Sequence, residues 1–352
     1  MRILVTGAAG FIGSHIRSAL SERGHEVVAV DAMLASAHGT RATTPAGIVR
    51  LDVRDGPALD RVLRGIDVVC HQAAVVGAGV DAGDAPAYAS HNDYGTGVLL
   101  SAMHRSGCRR LVLASSMVVY GDGQYRCRIH GRVDPDPRTK ADLDDGFFDN
   151  RCPVGGEPVA WEAVGEDAPL RPRSLYAASK LAQENFSRAW SLATGGSVTS
   201  LRYHNVYGDL MPRDTPYSGV AAMFRSALES GRVPSVFEDG RQTRDFIHVQ
   251  DVAEANVRSV ERELGGFNPL NVCSGYPVTI AEVALALTRA HHAEAPVITG
   301  QYRPGDVRHV VADPSRAEEL LSFRATTPPS EGLAEFAWAP LRVASSTGPP
   351  RV

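Results

Sequence analysis

Short runs rich in β-branched residues alternate with helically periodic stretches through the first half of the chain. Residues 3–6, 26–31, 48–52, 68–71 and 110–115 are apolar-rich, the pattern of strands buried on both faces. Between them, 13–23, 56–64 and 94–106 space their apolar residues as helices do. Strand–helix alternation of this kind predicts an α/β fold, a doubly wound parallel sheet covered by helices. Further strands are expected at 197–203 and near 270–273.

Two regions break this rhythm. Residues 122–172 are rich in Gly, Pro, Asp and Arg without clear periodicity, and read as an inserted loop or small subdomain. Beyond about Pro212 the elements become shorter and more mixed, as in a smaller α/β domain over the carboxyl edge of the sheet. The expected division is 1–210 with its insert, then 211–340, with segments around 240–275 returning to the first domain. The tail 341–352, with Ser345, Ser346, Thr347, Gly348, Pro349 and Pro350, reads as disordered.

Composition changes this picture little. The 352 residues are 43% hydrophobic and 22% charged, as in ordinary globular proteins. A net charge of −4 argues against a general nucleic-acid or membrane-surface binder, so an anionic ligand needs a local arginine cluster. Strand-like sequence from Arg2 leaves no room for a signal peptide, and no apolar run is long enough to span a bilayer. Five scattered cysteines do not resemble a secreted disulfide framework. A cytoplasmic protein is expected.

Candidate chemistry enters at two points. The apolar run Ile3-Leu4-Val5-Thr6 meets Gly7-x-x-Gly10-x-x-Gly13 and then a helix. That is the layout of a Rossmann-type unit, whose glycines let the backbone approach a pyrophosphate at a helix N-terminus. Asp31 ends the second strand, where a carboxylate binds ribose hydroxyls and repels a 2′-phosphate, so NAD is expected over NADP. Further on, Tyr176-x-x-x-Lys180 sets a phenol and an ammonium one helical turn apart.

With Tyr176-Ala177-Ala178-Ser179-Lys180, these residues resemble the extended short-chain dehydrogenase/reductase family acting on nucleotide sugars. The resemblance runs from Met1 to about Pro328 through His71-Gln72-Ala73-Ala74, Asn92, Ser115-Ser116, Tyr120-Gly121, Arg202-Tyr203-His204-Asn205, Arg244-Asp245-Phe246 and Arg303-Pro304-Gly305-Asp306. It implies that NAD is held by Gly7, Gly10, Phe11, Ile12, Gly13, Asp31, Asp52, Val53, Gln72, Ala73, Ala74, Asn92, Ser115, Tyr176, Lys180 and Tyr203. It also implies Ser116, Tyr176 and Lys180 as the catalytic residues. A free tyrosine, with pKa roughly 10, is a poor base, and the cation of Lys180 favours its phenolate.

The related 4,6-dehydratases carry Asp-Glu directly after the catalytic Ser/Thr, and the decarboxylases a glutamate at the second of those positions. Met117 and Val118 stand there and transfer no proton. What remains resembles the UDP-glucose 4-epimerase type: oxidation at C4, then return of the hydride to the opposite face. A one-way reductase or dehydrogenase uses the same three residues, and a non-catalytic NAD-binding regulator is the remaining alternative.

By the same resemblance, Ser116, Tyr176, Asn205, Val236, Phe237, Arg244, Arg303 and Asp306 contact a UDP- or dTDP-linked sugar. Arginine suits phosphate because its planar fork donates several hydrogen bonds. His204 stands where the epimerases have an aromatic, and is expected to be a core histidine with a satisfied hydrogen bond. Val310 occupies a gate position that is often a large aromatic, which implies room for a bulkier or differently shaped sugar. A homodimer through two helices of the first domain is also implied.

Sixty positions separate Ser116 from Tyr176, far more than is usual in the epimerases. The extra segment resembles an insert of the dTDP-L-rhamnose 4-epimerase type, where the second half reads C-P-x-C-G as in a small zinc knuckle. Here that stretch is Cys152-Pro153-Val154-Gly155-Gly156, which leaves Cys127, His130 and Cys152. Structural zinc wants four protein ligands, so a metal-free subdomain is expected. The insert leaves after Tyr120 and returns before Tyr176, and is expected to border the sugar pocket and influence substrate choice.

Overall fold

The computed structural model describes residues 1–40, 42–77, 79, 81–213 and 219–343. The tail expected to be disordered from 341 starts instead with a short strand, Arg342–Val343, paired in parallel with Pro212–Arg213, and lies outside the described residues from residue 344 onward. Seven parallel strands form the central sheet in the order Phe267–Val272, Ser197–Tyr203, Arg110–Ser116, Val68–His71, Arg2–Thr6, Glu26–Asp31, Ile48–Arg50. The order reverses between Arg2–Thr6 and Val68–His71, which opens a crevice at their carboxyl ends.

Alternation along the first strand explains the two covered faces. Ile3 and Val5 pack with Ile16 and Leu20 of helix Phe11–Glu22 and with Val252 and Val257 of helix Val249–Glu261. Leu4 points the other way, toward Leu59 of helix Gly56–Val62 and Leu99 and Met103 of helix Gly95–Ser106. Each buried aliphatic side chain contributes about 1.5–3 kcal/mol, so the sheet is the rigid platform of the molecule.

Two strands differ from their expected bounds by more than one residue. The third stops at Arg50, and Asp52 lies in the turn that follows. The seventh begins at Phe267 and runs through Pro269. It is an edge strand, where a missing N–H breaks no ladder bond.

A second core, built on Tyr207, Phe224, Phe246, Leu287 and Phe336, lies under helices Val220–Glu229, Ile280–Ala290 and Pro329–Phe336. Its sheet pairs Asn205–Tyr207 with Thr243–His248, which also pairs with Pro277–Thr279 and His309–Val310.

The aperiodic insert folds as a small antiparallel sheet: Gln124–Cys127 lies between Gly131–Val133 and Ala160–Glu162, with a short helix at Lys140–Asp144. Its strands are only three or four residues long, too short for a period of two to emerge from the sequence.

Candidate active site

Backbone geometry makes the first turn. Gly7 has φ +66°, and a Cβ there would lie 2.8 Å from the Ala73 nitrogen. At Gly13 a Cβ would lie 2.1 Å from the Gly7 carbonyl oxygen. Helix Phe11–Glu22 starts behind Gly10 with no side-chain cap and no acid in its first turn, which leaves its N–H groups and positive dipole end open to an anion. The Phe11 and Ile12 side chains pack, partly buried, against the two cores. Across the crevice, Thr6 Oγ1 accepts from the Gln72 and Ala73 N–H groups at 3.2 and 3.1 Å, which fixes the segment running on to Ala74.

The Asp31 carboxylate reaches the same turn, accepting from the Ala9 and Met33 N–H groups at 3.0 and 2.8 Å. Burial alone would raise its pKa, but His38 and these amides hold it below the usual carboxylate value. Asp52 is paired with Arg54 at 2.6 Å, and Val53 is buried beneath Gly95.

Three expected cofactor residues turn their side chains into the protein. Asn92 is fully buried, bonding both Val75 and Ser179. Ser115 donates to Glu184 at 2.5 Å, and Tyr203 bonds Gln72 and Asn256 on the far face of the sheet. These side chains hold elements in position, and only their backbone remains for a ligand.

Ser116 ends the fifth strand, at the lip of the crevice. Ser174 caps helix Leu175–Thr194, accepting from the Ala177 N–H, and so fixes where Tyr176 and Lys180 emerge. Burial pushes the Tyr176 phenol well above its usual value, and a hydrogen bond with Ser116 opposes that shift. Burial brings Lys180 down to about 8, against Glu184. Its Nζ lies 6.0 Å from the Tyr176 ring centroid and donates to the Ala114 carbonyl at 2.9 Å. The three residues are therefore brought together, with the lysine charge beside the phenol ring and bonded to the strand.

Met117 and Val118 follow Ser116 in a tight 3-10 turn over residues Met117–Tyr120. Asn205 opens strand Asn205–Tyr207 and keeps a buried Oδ1 without a hydrogen-bond partner among the described residues. Arg244 donates to the Thr243 and Arg308 carbonyls at 2.9 Å, and Arg303 sits 5.2 Å over the Phe237 ring. Val236 is fully buried beside Phe237. Asp306 lies three residues beyond Arg303, and its carbonyl accepts from Arg138 at 2.6 Å. Val310 is buried and pairs with Arg244.

His204 is buried, as expected of a core histidine, and burial lowers its pKa to about 3 against the opposing effect of the Asn271 side chain. Among the described residues no well-formed hydrogen bond reaches either ring nitrogen. The neighbouring Asn271 amide is already committed to Tyr120, Val164 and Asp313.

The insert supplies residues that no motif revealed. Arg138 pairs with the buried Glu238 at 2.8 Å. Arg308, 1% exposed, binds Glu238, Asp239 and the insert's Asp149 at 2.7–2.9 Å. Tyr125 accepts from the His309 N–H at 3.2 Å. Pairs between residues this far apart in sequence leave no local signal.

A family model described as the NAD dependent epimerase/dehydratase family matches residues 3–139 and 154–273. The chain belongs to that family. The stretch the family model passes over, 140–153, lies inside the insert. Among relatives of this family member, a dTDP-L-rhamnose 4-epimerase of Burkholderia thailandensis is 33% identical over 95% of this chain and 93% of its own. A UDP-glucose 4-epimerase of Mycolicibacterium smegmatis is 30% identical over 95% and 97%. A Thermus thermophilus UDP-glucose 4-epimerase solved with NAD is 32% identical, covers 96% of this chain and 98% of its own, and has a TM-score of 0.74.

The residues present fit the family's NAD. The glycine cradle that a Cβ would fill, the uncapped helix start and the Asp31 carboxylate converge on one turn. Among the described residues, no helix is long and apolar enough to cross a membrane.

Proposed function

We propose that this protein is an NAD-dependent nucleotide-sugar 4-epimerase acting on a UDP- or dTDP-linked hexose. One observation carries the reading: Ser116, Tyr176 and Lys180 meet at the carboxyl edge of the sheet, while the two residues after Ser116 are Met117 and Val118. When bound, NAD supplies a hydride acceptor for the sugar C4 and gives the hydride back.

The chain's own residues do the rest. The Tyr176 oxygen takes the C4 hydroxyl proton as the 4-keto sugar forms and returns it when the carbinol is restored. Ser116 holds the reacting oxygen by a hydrogen bond. The Lys180 cation supports the phenolate, which burial alone disfavours. Thioether and isopropyl groups at 117 and 118 give no proton for elimination, so the keto sugar keeps its C6 substituent. Arg244 and Arg303 suit the substrate pyrophosphate, and the open Asn205 Oδ1 suits a donor on the substrate.

The reading includes a homodimer through helices Gly95–Ser106 and Leu175–Thr194. Phe186 and Leu192 stand exposed on the second of these, apolar surface that a second copy would cover.

The test is a panel of UDP- and dTDP-hexoses followed by product chromatography and by absorbance of the reduced cofactor. The C4 epimer is expected without net NADH. Net NADH accumulation, or no epimer from any sugar, contradicts the proposal.

A further inference from the structure

The insert carries a second polar cluster, formed away from the cofactor turn by its own hairpin and its own loop. Cys127 ends strand Gln124–Cys127, and His130 lies in the turn that leads to strand Gly131–Val133. Cys152 and Glu157 close a second turn, with the Cys152 N–H bonded to the Glu157 carbonyl and the Gly156 N–H to the Cys152 carbonyl, each at 2.8 Å. The ligand-type atoms of these four side chains all lie within 4.8 Å of one another. His130 Nδ1 is 3.3 Å from each sulfur and 3.3 Å from Glu157 Oε1, and Cys127 Sγ is 2.7 Å from the same oxygen.

We propose that Cys127, His130, Cys152 and Glu157 bind one structural zinc ion. Zn–S bonds of about 2.3 Å and Zn–N and Zn–O bonds of about 2.0–2.1 Å place tetrahedral ligand atoms roughly 3.3–3.8 Å apart. Three of these four separations match that spacing, and the fourth is a thiol donating to a carboxylate, a contact that metal binding replaces. Two soft thiolates with imidazole and carboxylate suit zinc, and four protein ligands close its coordination sphere.

Two further observations point to a ligand. The Ile129 and His130 N–H groups both donate to Cys127 Sγ at 3.2 Å, the outer-shell arrangement that orients a metal thiolate. A Cβ at Gly155 would lie 2.1 Å from Glu157 Oε2 and 3.0 Å from His130 Cε1. The Glu157 carboxylate therefore occupies the volume that a side chain at 155 would fill. Glu157 would then be the fourth ligand that Cys127, His130 and Cys152 lack.

The ion would also reinforce the insert. The apolar cluster around the site is small, with Tyr125, Cys127, Cys152 and Val159 buried and Val133 and Trp161 packed against them, and two of these are the proposed ligands. A core that small rarely sustains a subdomain without a staple, and a structural metal supplies folding free energy directly. The ligands bracket residues 128–151, the stretch that carries Arg138 and Asp149 to Glu238 and Arg308. The ion would fix the base of the segment that contacts the proposed sugar-binding domain. The proposal is independent of the reaction assigned above.

The experiment uses the full chain, purified without a metal-binding tag. About one zinc per chain is expected by mass spectrometry of the metal. The stripped protein titrated with Co²⁺ should take up one equivalent, with thiolate-to-cobalt charge transfer and the intense visible bands of a tetrahedral site. In Cys127→Ser/Cys152→Ser both signals should vanish.

Should that variant fail to fold, Glu157→Gln keeps the side-chain shape. Loss of outer-shell partners alone weakens metal sites by about 10–100-fold, so at least about tenfold weaker Co²⁺ binding is expected, and Gly155→Cys/Glu157→Ala should restore it. Sub-stoichiometric zinc with no tetrahedral cobalt spectrum in the wild-type chain overturns the proposal. So does a spectrum unchanged by Glu157→Gln.

Discussion

Glu184 binds Arg202 through both carboxylate oxygens, Oε1 to Nε at 2.9 Å and Oε2 to Nη2 at 2.8 Å, with both side chains almost wholly buried. Ser115 adds a third bond to the same carboxylate, one residue before Ser116, and Glu184 lies one turn beyond Lys180. Helix Leu175–Thr194 thus meets the sheet through charges as well as apolar contacts. Removing one partner strands the other in the interior, which costs about 3–5 kcal/mol. Glu184→Ala is expected to lower the urea midpoint accordingly, and a change below about 1 kcal/mol contradicts this role for the pair.

Lys180 gives a pH signature. Burial pushes it down to about 8, while the unfolded chain keeps its proton to about 10.4. Between those values the unfolded state binds more protons, so the Lys180 contribution to stability rises with pH in the cofactor-free protein. The raised Tyr176 opposes this only above its ordinary value near 10. Lys140 and Lys180 are the only lysines of the sequence, and Asp144 raises Lys140. Spectra of protein labelled with ¹³C-lysine should show two Cε resonances, one titrating near about 8 and one above the ordinary lysine value. Two midpoints above about 10 contradict the burial argument.

Gly13→Ala tests the cofactor turn. Its Cβ would meet the Gly7 carbonyl at 2.1 Å, and backbone cannot move aside without opening the cradle. NAD affinity is expected to fall at least about tenfold, or about 1.4 kcal/mol, by calorimetric titration. Unchanged affinity would place the pyrophosphate elsewhere.

Arg138 links the insert to Glu238 and to the Asp306 carbonyl. Arg138→Ala is expected to raise KM for the preferred nucleotide sugar about tenfold, roughly 1.4 kcal/mol, and to change the ratio of activities among sugars. An unchanged ratio contradicts a role for the insert in substrate choice.

How far the sequence predicted these features follows from what each one depends on. The glycine turn and the seven strands depend on local pattern, and Gly7, Gly13 and Asp31 are readable because one position and one backbone requirement coincide. The inward turn of Asn92, Ser115 and Tyr203 depends on which face each residue presents, which residue type does not state. Glu238 with Arg138 and Arg308, and Glu157 with Cys127, join distant positions. Glu157 was further hidden because a carboxylate five residues past Cys152 belongs to no cysteine–histidine spacing. His204 was read as a core histidine, and its neighbour Asn271 sits on strand Phe267–Val272, a relation that no local pattern states.

The most direct measurement is turnover of Tyr176→Phe on the nucleotide sugar that the wild-type chain epimerises, with bound NAD quantified in parallel. The phenyl ring keeps the packing and removes the proton-carrying oxygen. Loss of a positioned acid–base group costs about 10²–10⁴-fold in rate, so a fall of that size with NAD content unchanged is expected. Wild-type turnover by the variant would contradict the account.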